Sequence, residues 1–147
     1  MADLTAAPAD LTVLDTTRRA VGQALAMAGA ALREVGVFEV HDCFTITGIL
    51  ACEALGLTGH GEGADYVLAG HTRREGATPM NTGGGLVGYG HPTGASGVRM
   101  SVDLLRQLTG RAGDYQVAIP ANRPYGLMVR MGGNDKTVVC CVFRRAV

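Results

Sequence analysis

The last part of the chain contains a run that is apolar at every position, from Val138 to Phe143. A strand with apolar side chains on both faces has to be covered on both faces, by helices or by a second layer. The segment Gly132-Gly133-Asn134-Asp135 before it is typical of a hairpin turn, so the residues from Gly126 onward are predicted to form the partner strand. The sequence therefore predicts a layered structure built on a sheet.

Periodic apolar residues upstream predict the helices that cover this sheet. They run from Asp15 to about Met27 and end at Gly29, from Phe44 to Leu55 and end at Gly56, and from about Gly94 to Leu108. In the third helix the inward side chains are predicted to be Val98, Val102, Leu105 and Leu108, with Arg99, Asp103 and Arg106 facing water. Residues 58–85 are predicted to be loop, apart from a short helix around residues 65–69.

A β-branched and aromatic run from Val35 to Val40 predicts a buried strand with His41 at its C-terminal end. Catalytic and ligand-binding groups of open α/β sheets collect at such ends. The predicted order is helix, strand, helix, loop, helix, strand, strand. This order indicates an α/β protein.

Composition limits the function classes. The 147 residues suit one domain, and 13 basic and 13 acidic residues leave no net charge with which to bind nucleic acid or an anionic membrane. A small molecule or another protein surface is the expected partner. The four cysteines lack framework spacing and are interpreted as reduced intracellular thiols. We expect no membrane span and no signal peptide, because no apolar stretch is long enough and the N-terminus is acidic.

Two short motifs carry the residues that could do chemistry. His91 lies in the glycine-dense stretch Gly90–Gly97, which leads into the third helix, where backbone amides stabilise negative charge. His41 and Cys43 are two positions apart, and a nearby histidine is one way to lower the pKa of a thiol towards neutrality. Their side chains point the same way if the backbone is extended, and diverge if a helix has already begun at Asp42.

These motifs, with Asn81-Thr82-Gly83-Gly84-Gly85 between them, resemble the C-terminal half of thiolases in order and spacing. The form His41-Asp42-Cys43-Phe44 is similar to thiolases of the sterol carrier protein X type. The resemblance implies helices packed on a mixed five-stranded sheet whose first strand is missing here. It divides the chain into a lead-in loop, residues 1–14, and an incomplete thiolase C-terminal domain, residues 15–147.

The resemblance also implies thioester Claisen chemistry, with a coenzyme A thioester as substrate and no covalently bound cofactor. His91 then helps to activate the nucleophile and donates to the enolate oxygen, His41 is the second donor, and Cys43 is the acid/base. The Gly132 amide belongs to an oxyanion hole. Gly84 and Gly85 are the substrate-binding glycines. Arg130 occupies the place of the family's usual cysteine in this segment.

The nucleophilic cysteine of thiolases lies in their N-terminal half, which has no counterpart here, so the isolated chain is expected to be inactive. The resemblance implies that the partner is that missing half, that the complete protein is a homodimer, and that it resides in a mitochondrion or peroxisome-like organelle, although no targeting signal is recognised. One alternative is a non-catalytic fragment that binds acyl-coenzyme A or a partner protein. Another is a metal site, although its candidate ligands lack paired spacing; these are His41, Cys43, His60, His71 and His91.

Overall fold

Five α-helices and three β-strands follow one another in the part of the chain that the computed structural model describes, residues 5–7 and 10–146. They are α1 Asp15–Ala28, β1 Val35–Val40, α2 Thr45–Leu55, α3 Gly63–Leu68, α4 Gly85–Tyr89, α5 Ser96–Leu108, β2 Tyr125–Gly132 and β3 Thr137–Arg144. The predicted lead-in lies partly outside the described residues. None of the described helices has the length and apolar content needed to cross a bilayer.

The three strands form one mixed sheet in the order β1-β2-β3. β1 runs parallel to β2, with Phe38 opposite Leu127 and Val40 opposite Val129. β2 and β3 form the predicted antiparallel hairpin. Its turn places Asn134 and Asp135 at φ values of 53° and 66°, a left-handed conformation that these two residue types tolerate better than most.

The predicted five-stranded sheet is wrong for the described residues, since their sheet has three strands. Residues 79–81 lie beside β1 but make only an isolated bridge between Met80 and Phe38. Pro79 has no amide hydrogen and can only accept, from Phe38 N at 2.9 Å. At Asn81 the backbone has a φ of 50° and leaves the direction of β1. The Asn81 side chain then makes the hydrogen bonds that the backbone of a neighbouring strand would make: it accepts from Val40 N at 2.8 Å and donates to Val40 O at 3.1 Å.

Helices cover both faces of β1 and β2, but β3, the strand for which cover on both faces was predicted, is only partly covered. On one face, Phe38 and Leu127 join a core cluster with Val21 of α1 and with residues of α2. On the other face, Val37 and Met128 pack with residues of α5. β3 is less covered: Val139, for example, is 53% exposed.

The buried face of α5 differs from the predicted one. Val98 and Leu105, both predicted to point inward, are 66% and 57% exposed, whereas Met100 and Leu104 are fully buried. Asp103 was expected in water but is 9% exposed. The helix can turn this face inward because Arg99 Nε donates to Asp103 Oδ2 at 2.6 Å, which satisfies a carboxylate that would otherwise be costly to bury.

The N-terminus of α1 is held by the hairpin turn at the other end of the chain. No side chain at the N-cap position Leu14 closes the helix. Instead, the carboxylate of Asp135 accepts from the amides of Thr16 and Thr17 at 2.8 and 2.9 Å, and from the Thr17 hydroxyl at 2.6 Å. A carboxylate here also complements the positive end of the helix dipole.

Replacing Asp135 by glycine removes this cap without backbone strain, because glycine readily adopts the positive φ of the site. We expect Asp135→Gly to lower the free energy of unfolding by about 1–2 kcal/mol, measured by urea denaturation followed by circular dichroism. Asn134→Gly is the matched control, since the neighbouring residue shares the left-handed conformation and does not cap α1. Equal losses in the two variants would contradict the role given to Asp135.

Candidate functional site

His41 and His91 meet at the C-terminal edge of the parallel strands. His41 directly follows β1, and His91 lies in the loop before α5. Their ring centroids are 5.0 Å apart and the ring planes are inclined by 79°, an edge-on arrangement. The structure therefore brings together the two histidines that the sequence singles out.

His41 is buried, with 4% of its surface exposed. Its Nδ1 atom lies 2.9 Å from Nη1 of Arg130, which projects from β2. Burial, the charge of Arg130 and the neighbouring His91, in that order of importance, together lower the pKa of His41 to about 4. The ring is therefore neutral at physiological pH.

His91 is half-buried and is held by the first turn of α5. Its Nδ1 atom lies 2.7 Å from the hydroxyl oxygen of Ser96, the first residue of that helix. The same hydroxyl donates to the carbonyl oxygen of Pro92 at 3.0 Å. The imidazole thus has a defined orientation at a helix N-terminus, where backbone amides favour negative charge.

Cys43 lies on the same face of the sheet as Val37, with which it shares a core cluster together with residues of α5. The helix that follows begins at Thr45, so the helical start at Asp42 that would separate Cys43 from His41 does not occur. Cys52 and Cys140 are different, because burial raises their thiol pKa to about 11 and about 12. The catalytic role of Cys43 stays a prediction.

The glycines predicted to bind substrate lie at the start of α4, a short helix that was not predicted. Gly84 precedes the helix at φ 106°, and Gly85 begins it at φ 62°. Asp42 Oδ1 accepts from the amide of Leu86 at 2.7 Å, and a Cβ on Gly85 would overlap the Asp42 carboxylate. Gly85 is buried and serves close packing here, while substrate binding by either glycine stays a prediction.

Sequence reasoning did not assign a role to Asp42 or Arg130. Asp42 is the second residue after β1, and its contact with the start of α4 had no local signal in the sequence. Arg130 carried no signal beyond replacing a cysteine. Gly132, the predicted oxyanion-hole amide, is an exposed residue at the end of β2, where it pairs with Thr137; its role also stays a prediction.

Beneath His41 lies a buried acid, Glu39, on the same face of β1 and 1% exposed. Burial raises the pKa of Glu39 to about 8, and the charges of Asp103 and Asp42 act in the same direction. One of its oxygens, Oε2, has no hydrogen-bond partner among the described residues, and neither has the hydroxyl of Tyr89. The interior next to the histidines therefore holds a neutral carboxylic acid at pH 7.

The remaining chemistry-bearing side chains are dispersed. Within residues 5–7 and 10–146, no three histidine, cysteine or acidic side chains are grouped so that they could hold a metal ion. His60 pairs with Glu53 at 3.2 Å, and the ring of His71 stacks on Tyr66 at 4.5 Å. Neither of these histidines contacts the pair formed by His41 and His91.

Gly85→Ala tests the packing against Asp42. We expect the free energy of unfolding to fall by at least about 2 kcal/mol, because the methyl group overlaps the carboxylate and alanine is strained at this φ. Gly88→Ala in the same helix is the matched control, because a Cβ there meets nothing within 4 Å. Chemical denaturation measures both, and a Gly85→Ala protein as stable as the control would refute the packing role.

Glu39→Gln tests the buried acid. The pKa of Glu39 is about 8 in the folded protein and has a reference value of 4.5. Between these pH values the folded state keeps a proton that the unfolded state has released, so stability falls as pH rises. The variant should escape this loss and exceed the parent by on the order of 3 kcal/mol at pH 7, with a smaller gain at pH 5.

Urea denaturation at several pH values measures this difference, and Glu75→Gln is the control at an exposed carboxylate whose pKa is lowered by Arg74. That variant should show no gain that grows with pH. A Glu39→Gln protein whose advantage is constant from pH 5 to pH 8 would mean that Glu39 is ionised in the folded state.

Known proteins share both the sequence and the fold. An acetyl-CoA acetyltransferase of Methanothermobacter thermautotrophicus is 39% identical over 136 residues, covering 92% of this chain and 35% of that protein. Sterol carrier protein 2 of Gallus gallus is 38% identical over 103 residues, covering 70% of this chain and 19% of that protein. The chain thus spans about a fifth to a third of the length of these curated relatives.

A solved structure, the Ltp2-ChsH2(DUF35) aldolase, superimposes with a TM-score of 0.76 at 21% identity, covering 94% of this chain and 34% of that chain. At this identity the likeness shows the fold alone. The predicted resemblance to thiolases is confirmed by the sequence relatives. Residues 3–145 match the family described as thiolase C-terminal domain-like, and the chain belongs to that family.

Proposed function

We propose that the chain supplies one half of an acyl-transfer site for thioester Claisen chemistry, the thiolysis or condensation of acyl-coenzyme A esters by a 3-ketoacyl-coenzyme A thiolase. The observation that carries the proposal is the edge-on pair of His41 and His91, 5.0 Å apart at the carboxyl edge of the sheet. Cys43 lies two residues beyond His41 on the same face. The pair provides an imidazole donor and a proton acceptor in one place, and the thiol of Cys43 lies two residues further along the chain.

Each residue has a distinct part in the proposed reaction. His91 takes the proton of a nucleophilic cysteine that the rest of a complete thiolase provides, and the thiolate attacks the thioester carbonyl. Coenzyme A leaves as a thiol after receiving that proton from His91. Cys43, as its thiolate, removes a proton from the α-carbon of the second acyl group and becomes a thiol, and the enolate carbon then displaces the nucleophilic cysteine from the acyl-enzyme as a thiolate. His41, His91 and the Gly132 amide donate to the oxyanions.

The electrostatics support this assignment for His41. A neutral imidazole in a buried position donates a hydrogen bond without solvent competition, so its contribution to an enolate is larger than in water. Loss of one preorganised donor of this kind costs about 100–1000-fold in kcat. The low pKa of His41 keeps it neutral throughout the physiological range.

The wider setting is also part of the proposal. The substrate is an acyl-coenzyme A, the partner is the N-terminal half of a thiolase, and the complete protein is a homodimer. An intracellular, mitochondrial or peroxisome-like location and a role in fatty acyl or sterol side-chain metabolism are predictions from the resemblance. No covalently bound cofactor takes part.

A second candidate function is binding without turnover, either of acyl-coenzyme A or of a partner protein. The observation in its favour is that the chain spans only 35% of its acetyltransferase relative and 19% of sterol carrier protein 2. A fragment of this size can retain a binding surface without the complete set of catalytic groups. Turnover in a complete protein that contains this chain separates the two candidates.

The test is a chimera in which this chain replaces the matching segment of the Methanothermobacter acetyl-CoA acetyltransferase. We expect the chimera to thiolyse acetoacetyl-coenzyme A, followed by loss of the ketoester absorbance, and the isolated chain to show no turnover. In the chimera, Cys43→Ser and His91→Asn should each lower kcat by at least about 100-fold.

Cys52→Ser is the matched control, because Cys52 is a core thiol whose Sγ contacts Gly48 O within α2. Its rate should stay within a few fold of the parent chimera. A chimera that folds, binds acyl-coenzyme A and shows no thiolysis would contradict the acyl-transfer proposal and favour binding alone. Turnover by the isolated chain would refute its dependence on a second half.

A further inference from the structure

Arg130 connects the two segments that carry the histidines. Its Nη1 donates to Nδ1 of His41 at 2.9 Å and to the carbonyl oxygen of Met131 at 2.8 Å. Its Nη2 donates to the carbonyl oxygen of Thr93 at 2.6 Å, in the loop that carries His91. One guanidinium therefore fixes the end of β1 and the loop before α5 relative to each other.

The contact with Arg130 decides which nitrogen of His41 carries the hydrogen. A guanidinium has only donors, so Nδ1 of His41 must present its lone pair. The neutral ring then carries its hydrogen on Nε2. The titratable groups that face this ring are Arg130 from β2 and His91 from the loop, and both oppose a second proton on His41.

The contact with Ser96 has the opposite effect on His91. A serine hydroxyl has one hydrogen, and Ser96 donates it to the carbonyl oxygen of Pro92. With that hydrogen assigned to the Pro92 contact, the 2.7 Å contact with His91 is made by Nδ1–H of the ring, and this tautomer of His91 is part of the proposal. The neutral His91 keeps a lone pair on Nε2.

We propose that Arg130 is a positioning residue of the site: it holds His41 as the Nε2–H tautomer beside a His91 whose Nε2 is free to accept a proton. The inference rests on the proposed function, which supplies the reaction in which the two rings take part. One ring is thereby fixed as a hydrogen-bond donor, and its neighbour as a base that donates to an oxyanion only after it has taken the proton. The two histidine rings, with centroids 5.0 Å apart, thus have different roles because their Nδ1 atoms contact different residues, Arg130 and Ser96.

This division suits the proposed proton movements. When the nucleophilic thiol is activated, its S–H bond breaks and a new N–H bond forms at Nε2 of His91. The oxyanion accepts a hydrogen bond from Nε2–H of His41, and no proton is transferred in that contact. His41 therefore stays neutral through the cycle, and the proton taken from the nucleophilic thiol resides on His91.

The alternative task for an arginine at this position is to bind an anionic group of a ligand. Its contacts favour positioning instead, because three of its five N–H hydrogens are donated to His41, Met131 and Thr93. A cysteine, the usual residue at this place in thiolases, is a weak donor and could not impose the same tautomer on His41.

The proposal is tested by long-range ¹H–¹⁵N correlation NMR of the full chain labelled at histidine, recorded near pH 7. The signals are assigned with His41→Asn and His91→Asn. We expect His41 to carry hydrogen on Nε2 alone and His91 on Nδ1 alone. In Arg130→Met, His41 should become a mixture of tautomers and its pKa should rise by at least about 1 unit, while His91 keeps its tautomer.

Arg130→Lys retains a donor and should preserve the Nε2–H tautomer of His41. Arg19→Met, at an exposed arginine of α1, is the matched control and should leave both rings unchanged. A parent protein in which His41 carries its hydrogen on Nδ1 overturns the proposal without any variant. So does an Arg130→Met protein that folds and keeps both the tautomer and the pKa of His41.

The NMR result is independent of turnover. If the chimera proves inactive while His41 and His91 show the expected tautomers, the proposed function fails and the positioning role of Arg130 stands as a structural assignment. If the chimera is active while His41 has the opposite tautomer, the function stands and the positioning role fails.

Discussion

The parallel pairing of β1 with β2 is the contact on which the rest of the structure depends. Every residue of β1 is buried, and the register that sets Val40 opposite Val129 carries the next residues, His41 and Arg130, to the same edge. The two strands are separated by most of the chain, so α2 to α5 fold between them and cover both faces. The histidine pair can form only once this register is reached.

Buried ionisable side chains are also found at the C-terminal edge of β1. Glu39 is pushed towards its neutral acid and His41 towards its neutral base, because burial disfavours the charged form of each. Asp103 is paired with Arg99, whose Nε donates to Oδ2 at 2.6 Å. The buried groups closest to the candidate site thus carry little net charge, apart from the guanidinium of Arg130.

The sequence was sufficient to predict those elements whose conformation depends mainly on their own residues. The bounds of β1 and the hairpin turn agree with the sequence because a run of β-branched residues and an Asn-Asp turn are local properties. The buried face of α5 was not predictable, because it depends on pairing Arg99 with Asp103 and not on apolar periodicity alone. The resemblance implied a five-stranded sheet without its first strand, which is one strand more than the described residues form, and Pro79 and Asn81 explain why the chain beside β1 makes only one bridge.

The contacts that build the site and close the fold join distant residues, and this explains why they were missed. Asp42 reaches Leu86 across 44 positions, Arg130 reaches His41 across 89, and Asp135 reaches Thr17 across 118. Without knowledge of the strand register, each of these side chains would be predicted to be an ordinary charged residue at the surface. Motifs such as Gly90–Gly97 identify the participating segments but not the side chains that orient them.

The side chain of Asn81 has an effect beyond the local geometry of β1. By pairing with both backbone groups of Val40, it occupies the last amide and carbonyl that the outer side of β1 could offer at that end, and Pro79 brings no amide of its own. This border of the sheet is therefore protected against the edge-to-edge association that exposed strands invite. β3, at the other border, pairs only with β2 among the described strands. Any further strand would therefore be added to the sheet beside β3.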